Sequence, residues 1–242
     1  MTGVQTCALP IYGVFAPGHS TGVERAGLVV ANLSGSIGRH ADIVRTHLAS
    51  VVDSRVDAFS AINAAYLQDG ALVVARPNTA LRTPIHLLHV STQGEAAVHP
   101  RVLIVAETGA ELTVIEDYVS LHDGVYAVNG VTEVKVAQNA SVRHVKLQRE
   151  SRGAFHIATC AVSLERDARF TSTVITLGAR ISRFNLNLQQ RAAGARMEAD
   201  GLALIGDGQL ADTHSFFDHA APDGSSRQSH KTVLNGDRKS VV

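Results

Sequence analysis

A short pattern recurs four times between residues 109 and 197, and it constrains the fold more than any other feature of the sequence. Each copy consists of a turn residue, an alanine, a variable position and an apolar residue, and the alanines lie 30, 28 and 27 residues apart. Repeats with a nearly fixed period of this size are typical of solenoids and propellers. The copies are Gly109-Ala110-Glu111-Leu112, Asn139-Ala140-Ser141-Val142, Asp167-Ala168-Arg169-Phe170 and Gly194-Ala195-Arg196-Met197.

Alternating apolar residues follow these turns, so the unit of the repeat is predicted to be a β-strand. After the first copy, Leu112 and Val114 alternate. After the second copy Val142 is followed by Val145 and Leu147, which we interpret as a change of phase within the strand. The number of strands alone would also fit a β-sandwich. The repeat, with like residues stacked on like, favours a mainly β fold, a right-handed parallel β-helix.

The chain before this core has a different pattern. Residues 12–39 are rich in glycine, which predicts a loop with one or two short strands. Between His40 and Leu67 apolar residues recur at steps of three and four, which predicts helices, most clearly at residues 57–66. The chain is therefore divided into a short, partly helical N-terminal lead-in at residues 12–70 and a parallel β-helix core at residues 71–236.

Both ends of the sequence resemble translated sequencing-library adapters rather than natural protein. We interpret residues 1–11 and 237–242 as adapter-derived and exclude them from fold reasoning. On this interpretation the natural protein continues beyond both ends, and the β-helix core is incomplete at its C-terminal end.

Composition limits the classes of partner. The sequence has 22 basic and 22 acidic residues, so net charge gives no reason to expect nucleic acid or an anionic membrane as a partner. No apolar run approaches the roughly 18 residues of a membrane-spanning helix. With Cys7 in the suspected adapter, Cys160 is left without a partner for an internal disulfide, which fits a reducing cytosol.

Candidate chemical groups do not converge in the predicted strands. His86 and His89 are three residues apart, which places them on opposite faces of a strand, and the adjacent carboxylates of Glu116 and Asp117 diverge in the same way. A cysteine such as Cys160 within a strand is usually a small buried side chain. No catalytic, cofactor-binding or metal-binding residue is assigned.

Two polar stretches are interpreted as surface. In Arg143–Arg149 the odd-numbered residues share one face, which indicates a surface strand with solvated or interface charges. The densest polar cluster is Asp212–His219, where strand alternation separates His214 from His219. A metal site needs converging imidazoles and carboxylates, so this cluster is interpreted as a polar coil surface.

Several segments together are similar to the SufB/SufD family, and the resemblance extends over roughly residues 57–236. Arg143–Ser151 makes the sequence closer to the SufD branch than to the SufB branch. The segments that carry the resemblance are His99–Glu107, Glu116–Ser120, Val131–Val134, Arg143–Ser151, Ser182–Asn187, Asp212–His214, Asp218–Pro222, Ser226–Gln228 and Lys231–Gly236.

The resemblance implies a cytoplasmic, non-enzymatic scaffold. Members of this family form a complex with a SufB-like paralogue and a SufC-like ABC ATPase, in which iron–sulfur clusters are assembled and transferred. It also implies a parallel β-helix, and it implies that no cofactor is bound directly by this part of the chain, the nascent iron–sulfur cluster belonging to the intact complex. Neither nucleic acid nor membrane is an expected partner.

Two alternatives remain open at this point. A carbohydrate-active β-helix enzyme of the pectate-lyase type would need an acidic calcium-binding cluster and an arginine base on an exposed groove, and neither is evident. A structural solenoid that binds other proteins fits the periodicity equally well.

Overall fold

A computed structural model describes residues 6–8, 10–11, 14–20, 23–55 and 57–236 of the protein. The interpretation of residues 237–242 as adapter-derived falls outside the described residues, and that of residues 1–11 stays a prediction. The N-terminal elements are strands β1 (Thr6–Ala8), β2 (Pro10–Ile11), β3 (Val14–Phe15), β4 (Val23–Arg25) and β5 (Leu28–Asn32), a 3-10 turn (Pro17–His19), and helices α1 (Leu33–Arg39), α2 (Ala41–His47) and α3 (Ala58–Ala65).

From Gly70 onward the chain alternates between two sheets. Sheet I contains β6 (Gly70–Ala75), β8 (Ala97–Val98), β9 (Arg101–Ala106), β11 (Ala127–Val136), β13 (Phe155–Leu164), β15 (Ile181–Gln190) and β17 (Leu210–His219). Sheet II contains β7 (Ile85–Ser91), β10 (Glu111–Ser120), β12 (Ser141–Arg149), β14 (Arg169–Thr176), β16 (Arg196–Ile205) and β18 (Ser225–Leu234).

Among the described strands, every pairing between members of the β6–β18 set is parallel, and each strand pairs with its equivalent one coil away. A β-sandwich would instead be built from antiparallel pairs. The predicted mainly β fold, a parallel β-helix, is therefore confirmed. Antiparallel pairs are found only in the N-terminal part of the described chain, where β5 joins β6 to β4.

The recurring turn has a conformational basis. Its first residue adopts a left-handed backbone, with φ of +68° at Gly109, +59° at Asn139, +57° at Asp167 and +78° at Gly194. Glycine, asparagine and aspartate tolerate this region best. At Gly194 an added Cβ would lie 2.2 Å from Oδ1 of Asp167 in the preceding coil, so the turn is also crowded. The alanines that follow have no exposed surface and form a ladder at this corner: Ala110, Ala140, Ala168 and Ala195.

The interior beside this corner is filled by stacked apolar side chains. Leu112 pairs in register with Val142, Val142 with Phe170, and Phe170 with Met197. All four are buried, and burial of such a side chain stabilises the fold by about 1.5–3 kcal/mol. Because each coil buries its face against the next, stability accumulates along the solenoid axis.

The N-terminal helices cover the outer face of sheet I over its first coils. Leu33 of α1 and Val44 of α2 pack with the outward-facing Leu72 and Leu103. The prediction of a loop at residues 12–39 is wrong over α1. That helix contains Gly35 and two other poor helix formers, so its propensity is low, and packing against β5 and β6 compensates.

A buried carboxylate fastens this region to the solenoid. Glu133 projects outward from β11 and is completely buried. It accepts hydrogen bonds from the backbone N–H groups of Ala49 (2.8 Å), Val51 (3.0 Å) and Val52 (3.3 Å). The Arg101 guanidinium donates to the same carboxylate at 2.6 Å. The loop after α2 is thus held by a satisfied buried charge pair.

Helix α3 confirms the strongest helix predicted in the lead-in. Asp57 caps it by accepting hydrogen bonds from the backbone N–H groups of Phe59 and Ser60. Asn63 donates to the carbonyl oxygens of Pro100 (3.0 Å) and Asn129 (2.8 Å), which ties the helix to sheet I. None of the helices in the described part of the chain is long and apolar enough to cross a membrane.

Candidate functional site

Strand β12 differs from its prediction in a way that defines the site. Val142 pairs with Leu112 and the strand continues in the same phase, so His144, Lys146 and Gln148 point into the solenoid and are buried. The predicted change of phase is therefore wrong. Its apparent cause, Val145 and Leu147, lies on the outer face, as the surface-strand interpretation of Arg143–Arg149 requires.

The separated pairs behave as the alternation predicts. Glu116 points into the solenoid, whereas Asp117 points outward, where Arg149 donates two hydrogen bonds to it (3.0 and 2.7 Å). His86 also lies on the outer face, 3.4 Å from Asp117, while His89 is buried inside. The divergence of both pairs is confirmed.

Glu116 is the centre of the first half of a buried polar network. Its Oε1 lies 2.9 Å from Nε2 of His144 and accepts a hydrogen bond of 2.7 Å from Thr132, across the interior on sheet I. The Tyr118 hydroxyl donates to Oε2 at 2.8 Å. Burial acts to raise the pKa of Glu116, but the hydrogen bond and charge of His144, together with Lys146, outweigh it and lower that pKa. The buried carboxylate is therefore ionised.

Glu150, which directly follows β12, is the centre of the second half. Gln148 donates to it at 3.0 Å and the Tyr126 hydroxyl donates at 3.2 Å. Nδ1 of His156 lies 2.6 Å from Oε2, a contact whose angle does not meet hydrogen-bond geometry and which we treat as electrostatic. Burial acts to raise the pKa of Glu150, but His156, Gln148 and Lys146 outweigh it and lower the pKa.

Lys146 lies between these halves. Its Nζ sits 3.7 Å from the centroid of the Tyr118 ring, a cation–π contact, and has no hydrogen-bond partner among the described residues. Burial lowers the pKa of Lys146 to about 8, against the opposing charges of Glu116 and Glu150. One buried ammonium group thus faces two buried carboxylates.

Aromatic stacking completes the network. The His89 ring lies parallel to the Tyr118 ring at a centroid distance of 4.3 Å, and the His156 ring meets Tyr118 edge-on at 4.8 Å. Burial lowers the pKa of His89 to about 4, so this imidazole is neutral at neutral pH. Burial also raises the pKa of Tyr118 well above its usual value.

Cys160 faces this network from β13. Its thiol is buried, and burial, reinforced by Glu116, raises its pKa. The interpretation of Cys160 as a small buried side chain is confirmed. Among the described residues, no group of three or more His, Cys, Asp and Glu side chains is arranged to hold a metal ion.

The polar cluster at Asp212–His219 lies on strand β17. Asp212, His214 and Phe216 face outward, in register with outward residues of β15, whereas Phe217 packs against the core. His214 and His219 therefore diverge as predicted. Nε2 of His214 lies 3.2 Å from Asp212, and His219 contacts Gln190 at 2.9 Å.

The network of Glu116, His144, Lys146 and Glu150 was missed in the sequence. The available signal was the position of polar residues in the repeat: counted from the buried alanine of each copy, Glu116 and Lys146 occupy the same inward position. Apolar periodicity alone gives these positions no weight, because it scores an inward lysine as a break in the pattern.

Comparison with known proteins places this region in a family. The family model described as "SUF system FeS cluster assembly, SufBD core domain" matches residues 89–242. That segment contains the solenoid from the end of β7 onward, including all of the buried network.

Similar proteins agree with this match. The chain is 33% identical over 204 residues to an iron–sulfur cluster assembly SufBD family protein of Synechocystis, covering 79% of this chain and 45% of that protein. It is 31% identical over 163 residues to the iron–sulfur cluster assembly protein SufD of Escherichia coli, covering 65% and 38%. A SufBD family protein of Staphylococcus epidermidis is 22% identical over 223 residues, covering 90% and 47%. The chain spans less than half the length of these relatives, and it belongs to the SufBD family of iron–sulfur cluster assembly proteins.

Proposed function

We propose that this chain is part of a SufD-like, non-catalytic scaffold subunit that works with a SufB-like paralogue and a SufC-like ABC ATPase in the assembly and transfer of iron–sulfur clusters. The observation that carries the proposal is the match of the SufBD core domain to residues 89–242, which form the solenoid itself. The similarity to SufD of Escherichia coli supports the SufD branch.

The buried network supports a scaffold rather than an enzyme. Glu116, Lys146, Glu150 and Cys160 are each no more than 5% exposed. A substrate could reach these groups only if neighbouring coils separated, and that would break continuous parallel ladders of backbone hydrogen bonds. Reactive groups in an enzyme need access to their substrate, whereas buried charges of this kind hold a fold in one arrangement.

The solenoid is suited to transmit movement. Its coils are joined along both sheets in one register from β6 to β18, so the body is expected to move as a unit. In the proposed complex, ATP-driven movement of the SufC-like subunit would shift this body relative to the SufB-like paralogue. The nascent iron–sulfur cluster is the cargo of that complex and not a group resident in this chain. We also propose that the complex is cytoplasmic, where a free thiol such as Cys160 persists in the reduced state.

Co-purification tests the proposal. The complete gene that contains this sequence would be expressed together with the genes for its SufB-like and SufC-like partners, with an affinity tag on the SufC-like subunit. We expect all three proteins to elute together in size-exclusion chromatography and to acquire an iron–sulfur absorption spectrum after anaerobic reconstitution. A SufB–SufC pair that forms without this protein, while this protein elutes alone, would refute the proposal.

A further inference from the structure

Helix α3 has its apolar and polar faces reversed relative to a normal surface helix. Ser60 and Asn63 are completely buried against sheet I. Phe59, Ile62 and Tyr66, spaced three and four residues apart, are 40%, 41% and 65% exposed. An apolar stripe normally faces the core, so a stripe that faces solvent indicates an interaction surface.

A groove runs beside this stripe. It has a volume of about 590 Å³ and lies between α3 and strand β17 on the outer face of sheet I. Phe59 forms one wall and Phe216, 59% exposed, forms the other, with Asn185 and Asn187 of β15 between them. We call it the α3–β17 groove. Two aromatic walls and an amide floor offer both apolar and hydrogen-bonding contacts.

The width of the groove suits one α-helix. Helix α3 contacts β11, and the Asn129 side chain of that strand donates to the Phe59 carbonyl oxygen at 2.8 Å. Strand β15 lies two positions farther along the sheet, and two inter-strand spacings amount to about 9.6 Å. Packed helices lie about 8–10 Å apart. A second helix laid over β15 would therefore contact α3 on one side and Phe216 on the other.

The charges around the groove favour a basic occupant. Asp57 lies at its α3 end, and Asp212 and Asp218 lie on the outer side of β17. Arg183 is the cation that faces them, and it is 3.6 Å from Asp212. Three carboxylates against one guanidinium leave the rim acidic, which complements lysine and arginine and opposes an anionic lipid surface.

We propose that the α3–β17 groove binds an amphipathic, basic helix of a partner protein, with its apolar side on Phe59, Ile62 and Phe216. The apolar walls supply the binding energy, and the acidic rim selects a helix with lysine or arginine at its flanks. This inference concerns a surface outside the buried network, and it holds whether or not the scaffold proposal is correct.

Peptide binding to the complete protein tests the inference. The probe is a synthetic helical peptide of about 18 residues, five helical turns, with leucine on one face and lysine at both flanks. Its twin carries glutamate in place of lysine, and a scrambled peptide has the same composition as the first. We expect saturable binding of the lysine peptide by fluorescence polarisation, with Phe59→Ala and Phe216→Ala each weakening the Kd about tenfold. Leu204→Ala, an exposed leucine on sheet II, is the matched control and should leave the Kd unchanged.

Three results would overturn the inference. The first is equal binding of the lysine, glutamate and scrambled peptides, and the second is equal loss of affinity in the control variant. The third is a dimer in light scattering that Phe216→Ala dissociates, which would make a second copy of this chain the occupant. Circular dichroism of each variant establishes that its fold is retained, since all three substituted side chains are exposed.

Discussion

Replacement of Lys146 by methionine is expected to stabilise the protein at neutral pH. The lysine ammonium is buried, has a pKa of about 8 instead of 10.5, and has no hydrogen-bond partner among the described residues. This difference in pKa corresponds to about 3 kcal/mol by which burial of the charged form disfavours folding. Methionine has a similar length and no charge, so Lys146→Met should raise the free energy of unfolding by about 3 kcal/mol at pH 7.

The pH dependence gives the sharper test. Below pH 8 Lys146 is protonated in both the folded and the unfolded state. Between pH 8 and 10.5 the unfolded chain binds a proton that the folded chain does not, so the wild type gains stability relative to Lys146→Met as pH rises. The advantage of the variant should therefore disappear by about pH 10.5. Because every other group is shared, the difference between the two proteins isolates this lysine.

Urea unfolding followed by circular dichroism at pH 7, 8, 9 and 10 measures this difference. Lys231→Met, at an exposed position of β18, controls for the loss of one positive charge. A variant that is less stable than the wild type at pH 7 would mean that Lys146 is a net stabilising counter-ion for Glu116 and Glu150. That result, or a difference that does not change with pH, would refute the reasoning.

Three further predictions follow from other parts of the fold. Glu133→Gln should lower the free energy of unfolding by about 3–5 kcal/mol in urea titrations, since it leaves a buried guanidinium without its carboxylate; Glu107→Gln, a partly exposed carboxylate, should have little effect. Gly194→Ala should lower the Tm, at a cost of about 1–2 kcal/mol, because φ is +78° and the new Cβ meets Asp167; an unchanged Tm would contradict this account of the turn. Cys160 should not react with a thiol reagent in the native protein, because it is buried and its pKa is raised, and peptide mass spectrometry should detect labelling only after denaturant is added.

The fold could be predicted because its strongest constraints are local. The left-handed turn at residues such as Asn139 needs a particular residue type, and the alanine that follows must be small to fit the corner. Both requirements recur once per coil, so the sequence carries the period directly. Helix α1 could not be predicted in the same way, because its stability comes from packing of Leu33 against the sheet and not from helix propensity.

The buried network could not be predicted from hydropathy. His144 and Lys146 look like surface residues in isolation, and their inward direction depends on partners from other coils such as Glu116 and Thr132. Helix α3 misleads in the opposite sense. Its apolar spacing correctly predicts a helix, but the side that is buried carries Ser60 and Asn63, because these pack in a polar anchor on sheet I.

The buried network also limits how the solenoid can change in length during evolution. Where coils meet only through aliphatic ladders, such as Leu112 on Val142, gain or loss of one complete coil would replace one apolar contact by a similar one. Between β10 and β12 the same event would separate Glu116 from His144, and Tyr118 from Lys146. Insertions and deletions of whole coils should therefore accumulate elsewhere along the axis, while this pair of coils is inherited as a single unit.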